Sequence, residues 1–212
     1  MQSNTRGSAE AREWANEQAA RVGAEVHRLR TEVHRISAVQ LAERTAELGY
    51  PITRGTIAKI ESNSRAAKLD VAELAVLAKA LCVPPIQLLY PQLPDGPVEV
   101  LPNVRVRSVD AMTWFSGEEM EYTDNDLGVS RAANDTAEVR REKWECSLPV
   151  RATRSLLFKK EGIRSAELMV EGKSDAEHVE FWVRRLEERT RELIELREKL
   201  RQDGLYVSDS DG

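Results

Sequence analysis

Apolar positions recur at spacings of three and four along most of this chain, and strand-like alternation is confined to one short stretch. Trp14, Ala19, Val22, Val26, Leu29 and Val33 keep that rhythm between Ala11 and Arg35, which predicts one long amphipathic helix. Residues 1–10 are small and polar and are expected to be disordered. Gly23 falls in the middle of the helix, where it lowers stability by about 1 kcal/mol relative to Ala. Ser37, with Gln40 three residues on, forms a capping box that opens a second helix from Ala38 to Leu48. Gly49-Tyr50-Pro51 closes it, because Gly accepts a left-handed cap and Pro cannot continue a helix. Thr53 caps a third helix through Glu61, ended by Ser62-Asn63-Ser64. Asp70 caps a fourth, with Val71, Leu74, Leu77, Ala78 and Leu81 on one face. Pro84-Pro85 starts a short fifth through Tyr90.

Pro91, Pro94, Gly96, Pro97 and Pro102 then mark a linker over residues 91–109. Within it, Val98, Val100, Val104 and Val106 alternate, as either a short strand or an extended lay-over. A short helix around Asp110–Phe115 follows, then an acidic loop from Glu118 to Asp126. Thr136 to Lys160 reads as helix with a break near Pro149, and Asp175 caps a last long helix to Gln202, ended by Gly204. The predicted fold class is all-α: a five-helix domain over residues 11–90, the linker at 91–109, and a mainly helical C-terminal domain over 110–212.

Composition adds limits. Charged residues at 32% and aromatics at 5% favour helices with solvated faces over a sheet sandwich. No run of about 18 apolar residues predicts a membrane span, and no apolar leader predicts export. Cys82 and Cys146 are too isolated for a disulfide framework or a zinc site, which points to a reducing, cytoplasmic setting. His27 and His34 lie seven apart without a third ligand, so they read as surface histidines and no metal is expected. The net charge of −5 opposes nucleic acid at first sight, yet residues 1–90 carry 12 Lys+Arg against 10 Asp+Glu. A local basic face, rather than a basic chain, is what DNA requires.

The second and third helices concentrate the chemistry. Leu41, Ala42, Ile57 and Ile60 would pack these helices together, with Ala42 small at their crossing. That leaves Thr53, Arg54, Gly55, Thr56 and Lys59 facing outward from the start of the third helix. Helix N-termini attract phosphate, and Arg can grip a guanine edge with two hydrogen bonds. Arg28-Leu-Arg30, Ile36-Ser-x-x-Gln-Leu-Ala42, Thr53-Arg-x-Thr-Ile-x-x-Ile-Glu61, Leu74–Val83 and Pro85–Leu89 stand in order. Together they resemble the XRE-type, lambda-repressor-like helix-turn-helix domain of phage repressors over residues 12–90.

The resemblance implies base reading by Thr53, Arg54, Gly55, Thr56 and Lys59, with Arg54 and Gly55 principal. It implies phosphate contacts at Ser37 and Gln40 and adds Ser64, Arg65 and Lys68 as further candidates. Three departures stand out: a turn about five residues longer than the pattern, Gly55 where a side chain often reads a base, and Cys82 where Gly is frequent.

The second half is less specific. Val179, Leu186, Leu193 and Leu200 repeat every seven residues, widened by Trp182, Val183, Ile194 and Leu196, and fit packing within the chain, a homodimer through the last helix, or a mixture of the two. Arg140, Arg141, Lys143, Arg151 and Arg154 form either a second DNA-contacting surface or a solvated helix face. Trp144, Phe181 and Trp182 are expected to anchor the core of this half. No Gly-rich phosphate loop, nucleophile elbow, scissile Ala-Gly or Ser/Lys peptidase pattern is present, so no enzyme and no cofactor are expected. The reading is a transcriptional regulator of phage or prophage repressor type, acting in the bacterial cytoplasm on a double-stranded DNA operator at the nucleoid. The alternative is an antitoxin-like interaction module that also regulates its own expression.

Overall fold

A computed structural model describes residues 3–65, 67–118, 123–124, 129–130, 136–172 and 176–208. Helix dominates, and the β structure among the described residues is two short antiparallel pairings. No helix among them is long and apolar enough to cross a membrane. The chain divides into two compact units, residues 1–134 and 135–212.

Helix α1 covers Ser3–Arg28, so it starts well before Ala11 and replaces the disordered segment expected over residues 1–10. Once a helix is nucleated, each further residue adds one hydrogen bond for one residue fixed, and Ala9 and Glu10 are good helix formers. A π-helical turn, Leu29–Val33, continues it, with the His34 N–H donating to the Leu29 carbonyl at 2.9 Å. Leu29 and Arg30 within this turn are both buried. Gly23 has a packing reason: a Cβ there would stand inside contact distance of the Ile60 carbonyl oxygen, so only Gly permits this backbone approach.

Next come α2 (Ala38–Glu47), α3 (Arg54–Glu61), α4 (Val71–Ala80) and α5 (Pro85–Leu89). Their caps follow the sequence: Ser37 and Gln40 make the reciprocal capping box, Thr53 accepts from Thr56 N, and Asp70 accepts from Ala72 N and Glu73 N. The C-termini of α2 and α4 close alike, as does that of α3 at Asn63. Gly49 takes φ +83° after α2 with Tyr50 N donating to Thr45 O, and Cys82 takes φ +55° after α4 with Val83 N donating to Ala78 O. Cys82 thus occupies a left-handed position that favours Gly.

The region expected to be a linker is part of this unit. β1 (Pro97–Leu101) and β2 (Val104–Arg107) pair antiparallel, and Val98, Val100, Val104 and Val106 join one buried cluster with Val22, Val26, Leu41, Ile57, Leu77 and Leu88. Burying four valines against the helices is what turns the alternation into strands. α6 (Ser108–Phe115) belongs here as well, rather than to the C-terminal half: Ala111 is fully buried, and Phe115 meets Tyr90 edge-on at 6.0 Å. Gln18 Nε2 donates to Glu99 O at 2.7 Å and Arg21 Nε to Leu89 O at 2.9 Å, tying α1 to β1 and α5. β3 (Thr123–Asp124) pairs with β4 (Val129–Ser130), within and beyond the expected acidic loop; residues 119–122 and 125–126 of that loop lie outside the described residues.

The second unit contains α7 (Ala137–Cys146), α8 (Leu148–Glu171) and α9 (Ala176–Gln202). The break falls at Ser147, with Pro149 in the first turn of α8. The expected cap at Asp175 lies outside the described residues. α8 and α9 form an antiparallel helical hairpin: Lys159 pairs with Glu192 at 2.6 Å, and Arg189 donates to the Gly162 carbonyl.

Candidate nucleic-acid interface

Thr45 sets how α2 hands over to α3. It is fully buried, donates to Ala42 O at 2.8 Å and accepts from Ile52 N at 2.9 Å. The connection from Leu48 to Thr53 is therefore ordered, closed by Gly49 and pinned by Ile52, itself buried. Arg44 Nη1 reaches the Ala80 carbonyl at 3.2 Å and so joins α2 to the end of α4.

Helix α3 is fixed from behind. Ile57 is fully buried and Ile60 nearly so, beside Leu41 and the half-buried Ala42, as the spacing predicts. At the C-terminal end, Arg30 holds Glu61 through two bonds, Nε to Oε1 at 2.6 Å and Nη2 to Oε2 at 2.8 Å. Its Nη1 also donates to Ile36 O at 3.0 Å. His27 Nδ1 meets Glu61 Oε2 at 3.0 Å. Burial alone would raise the Glu61 pKa, but the Arg30 and His27 hydrogen bonds and charges outweigh it and hold the carboxyl below its ordinary range. His34, half-buried, bonds the Leu81 carbonyl at 2.8 Å. His34 is therefore a structural contact rather than a surface group, whereas His27 is exposed, as expected, while it bonds Glu61.

The other side of α3 is open. Arg54, Gly55, Ala58 and Lys59 are exposed and fall in two rows at i and i+4, Arg54 with Ala58 and Gly55 with Lys59. Neither Arg54 nor Lys59 makes an ion pair among the described residues. A Cβ at Gly55 would meet nothing nearer than Thr53 Oγ1 at 3.9 Å, so packing does not require Gly there. Ala58 was missed in the sequence, although helical period alone places it one turn after Arg54. Thr53 and Thr56 are bound to each other, with Oγ1 atoms 3.0 Å apart, and their hydroxyls serve the cap.

The phosphate candidates separate similarly. Gln40 Oε1 accepts from Ser37 N at 2.8 Å, which orients its amide outward at the start of α2. Lys68 is exposed. Ser64 is exposed and bonded to Ser62 Oγ at 3.0 Å. Arg65, in contrast, is paired with Glu73 at 2.5 Å, its side chain only 25% exposed, so its charge is matched within the chain.

In the second unit, the basic cluster does not form a free row. Arg141 pairs with Glu145 at 2.8 Å. Arg151 stacks 3.2 Å from the Trp144 ring centre and donates to Trp144 O at 2.7 Å. Arg154 is half-buried, and the side chains of Arg140 and Lys143 lie outside the described residues. Trp144 and Phe181 are exposed at 61% and 55%, so they do not anchor a core: Trp144 backs Arg151, and Phe181 sits off the stripe that meets α8. That stripe is used within the chain, with Leu193 and Leu200 buried and Val179 and Leu186 half-buried.

Compared with family models, curated proteins and solved structures, the chain matches none of them. No cluster of metal-ligating side chains occurs among the described residues.

Proposed function

We propose that this chain is a sequence-specific DNA-binding transcriptional regulator, a repressor whose residues 3–90 act as a lambda-repressor-like helix-turn-helix domain. One observation carries the reading: Arg54 and Lys59 stand exposed and unpaired on a helix whose opposite face is locked by Ile57, Ile60 and the Arg30–Glu61 clamp. A rigid helix presenting one free cation in its first turn, Arg54, and another in its last turn, Lys59, suits insertion into the major groove. Arg54 takes a guanine edge, Gly55 and Ala58 let the backbone approach the bases, and Lys59 reaches further along the groove. The N-termini of α2 and α3, with Gln40, Ser37, Ser64 and Lys68, contact flanking phosphates. Thr53 and Thr56 act through the cap they form. Repression follows from occupying an operator in the bacterial cytoplasm and excluding polymerase.

The test compares two variants on DNA recovered by the wild-type chain. Arg54→Ala loses about 1–3 kcal/mol of discrimination at one base position. Lys68→Ala weakens binding to every sequence and lowers the salt slope by about 1. Equal operator affinity in both variants and the wild type removes the proposal.

A further inference from the structure

Because α9 covers only one face of α8, the opposite face of α8 is left exposed with an apolar and charged pattern of its own. Ala152 and Ala166 are buried, with Leu156, Lys159 and Ile163 half-buried between them and Val170 half-buried beyond, and these residues lie toward α9. Leu157 and Leu168, each 60% exposed, lie on the other side of the helix, in line with Glu161 and Arg164 at helical spacing. Neither Glu161 nor Arg164 makes an ion pair among the described residues.

The order of this stripe is Leu157, Glu161, Arg164, Leu168, with steps of four, three and four. It reads the same in both directions if the two charges are exchanged. An antiparallel copy related by a two-fold axis passing between residues 162 and 163 therefore sets Leu157 against Leu168 and Glu161 against Arg164, and the reverse. The same axis sets Arg154 opposite Glu171. We infer that the outer face of α8 is a homodimer interface, an antiparallel helix pair about this axis, with two leucine layers flanking two reciprocal Glu161–Arg164 pairs. A two-fold contact must be self-complementary, and this stripe meets that condition in both shape and charge. In a parallel pairing, the same charges would meet their like.

Sedimentation equilibrium of the full chain, without DNA, tests the inference independently of the DNA-reading proposal. The wild type is expected to be a dimer. Glu161→Arg or Arg164→Glu alone raises the dimer dissociation constant at least about tenfold, by bringing like charges together. Mixing the two variants restores a one-to-one dimer near wild-type affinity, because each then supplies the charge the other lacks. Circular dichroism on each variant checks that α8 remains folded. A wild type that stays monomeric, reversals that leave its dimer intact, or variants that do not associate on mixing overturn the inference and leave the face to another protein.

Discussion

In the first unit, twenty apolar side chains close into one buried cluster drawn from α1 through α6 and the β1–β2 hairpin. Among the described residues of the second unit only Ala152, Ala166, Leu193 and Leu200 are buried, while Leu157, Phe158 and Leu168 stand 60%, 82% and 60% exposed. The contrast follows from geometry. Two helices cover one face of each other and no more, whereas six helices and a hairpin can enclose a centre. The first unit therefore has the rigidity to present α3 at a fixed angle. The second has the unfinished surface expected of an element that completes itself in an assembly.

Core truncation should separate the units most sharply. Leu41→Ala, at a fully buried position, is expected to cost about 2–5 kcal/mol in urea unfolding. Leu193→Ala should cost less, because its site lies in a two-helix layer with room to relax, and hydrogen exchange would localise each loss to its unit. Equal losses would break the comparison.

Glu61→Gln sharpens it next, by removing the charged partner of Arg30 at the end of α3. The expected loss at neutral pH is about 1.5–3 kcal/mol. The folded carboxyl titrates below its ordinary value, so its contribution is complete above about pH 4.3 and is lost as pH falls through the lower folded value. The stability gap between wild type and variant should close over that acid range and persist above it.

Two glycines of the first unit should then respond in opposite directions. Gly23→Ala is expected to lose about 1–3 kcal/mol from the clash with the Ile60 carbonyl, despite the better helix propensity of Ala. Gly55→Ala meets only an ordinary contact with Thr53 Oγ1 and should gain up to about 1 kcal/mol, while weakening DNA binding by holding the backbone off the bases. Thermal melts paired with binding measurements read both effects. A change of similar size is Cys82→Gly, expected to add about 1 kcal/mol by relieving a left-handed residue that carries a side chain. A melting temperature no higher than wild type would contradict that account.

These contrasts also explain what could be read in the sequence. Caps are local, so Ser37 with Gln40, Thr53, Asp70, Gly49 and Gly204 announced helix ends that the structure contains. The packing of Leu41 with Ile57 and Ile60 followed from helical period. The β1–β2 hairpin was obscured because four alternating valines among prolines do not say what they bury against. Arg65 looked like a free cation because Glu73, which neutralises it, lies on the next helix. The leucine stripe of α9 fitted packing within the chain, a homodimer or both, and the packing against α8 became visible only in the structure. At α3, the sequence named the exposed cations and missed Ala58, since a small residue carries no chemical signal of its own.

The most direct test of the central claim is selection of bound fragments from a random double-stranded DNA library by the purified full chain. Enrichment of a defined motif, lost when Arg54→Ala replaces the wild type, is the predicted result. Recovery of no motif at low salt, or of the same motif with Arg54→Ala, would contradict the assignment of α3 as the reading helix.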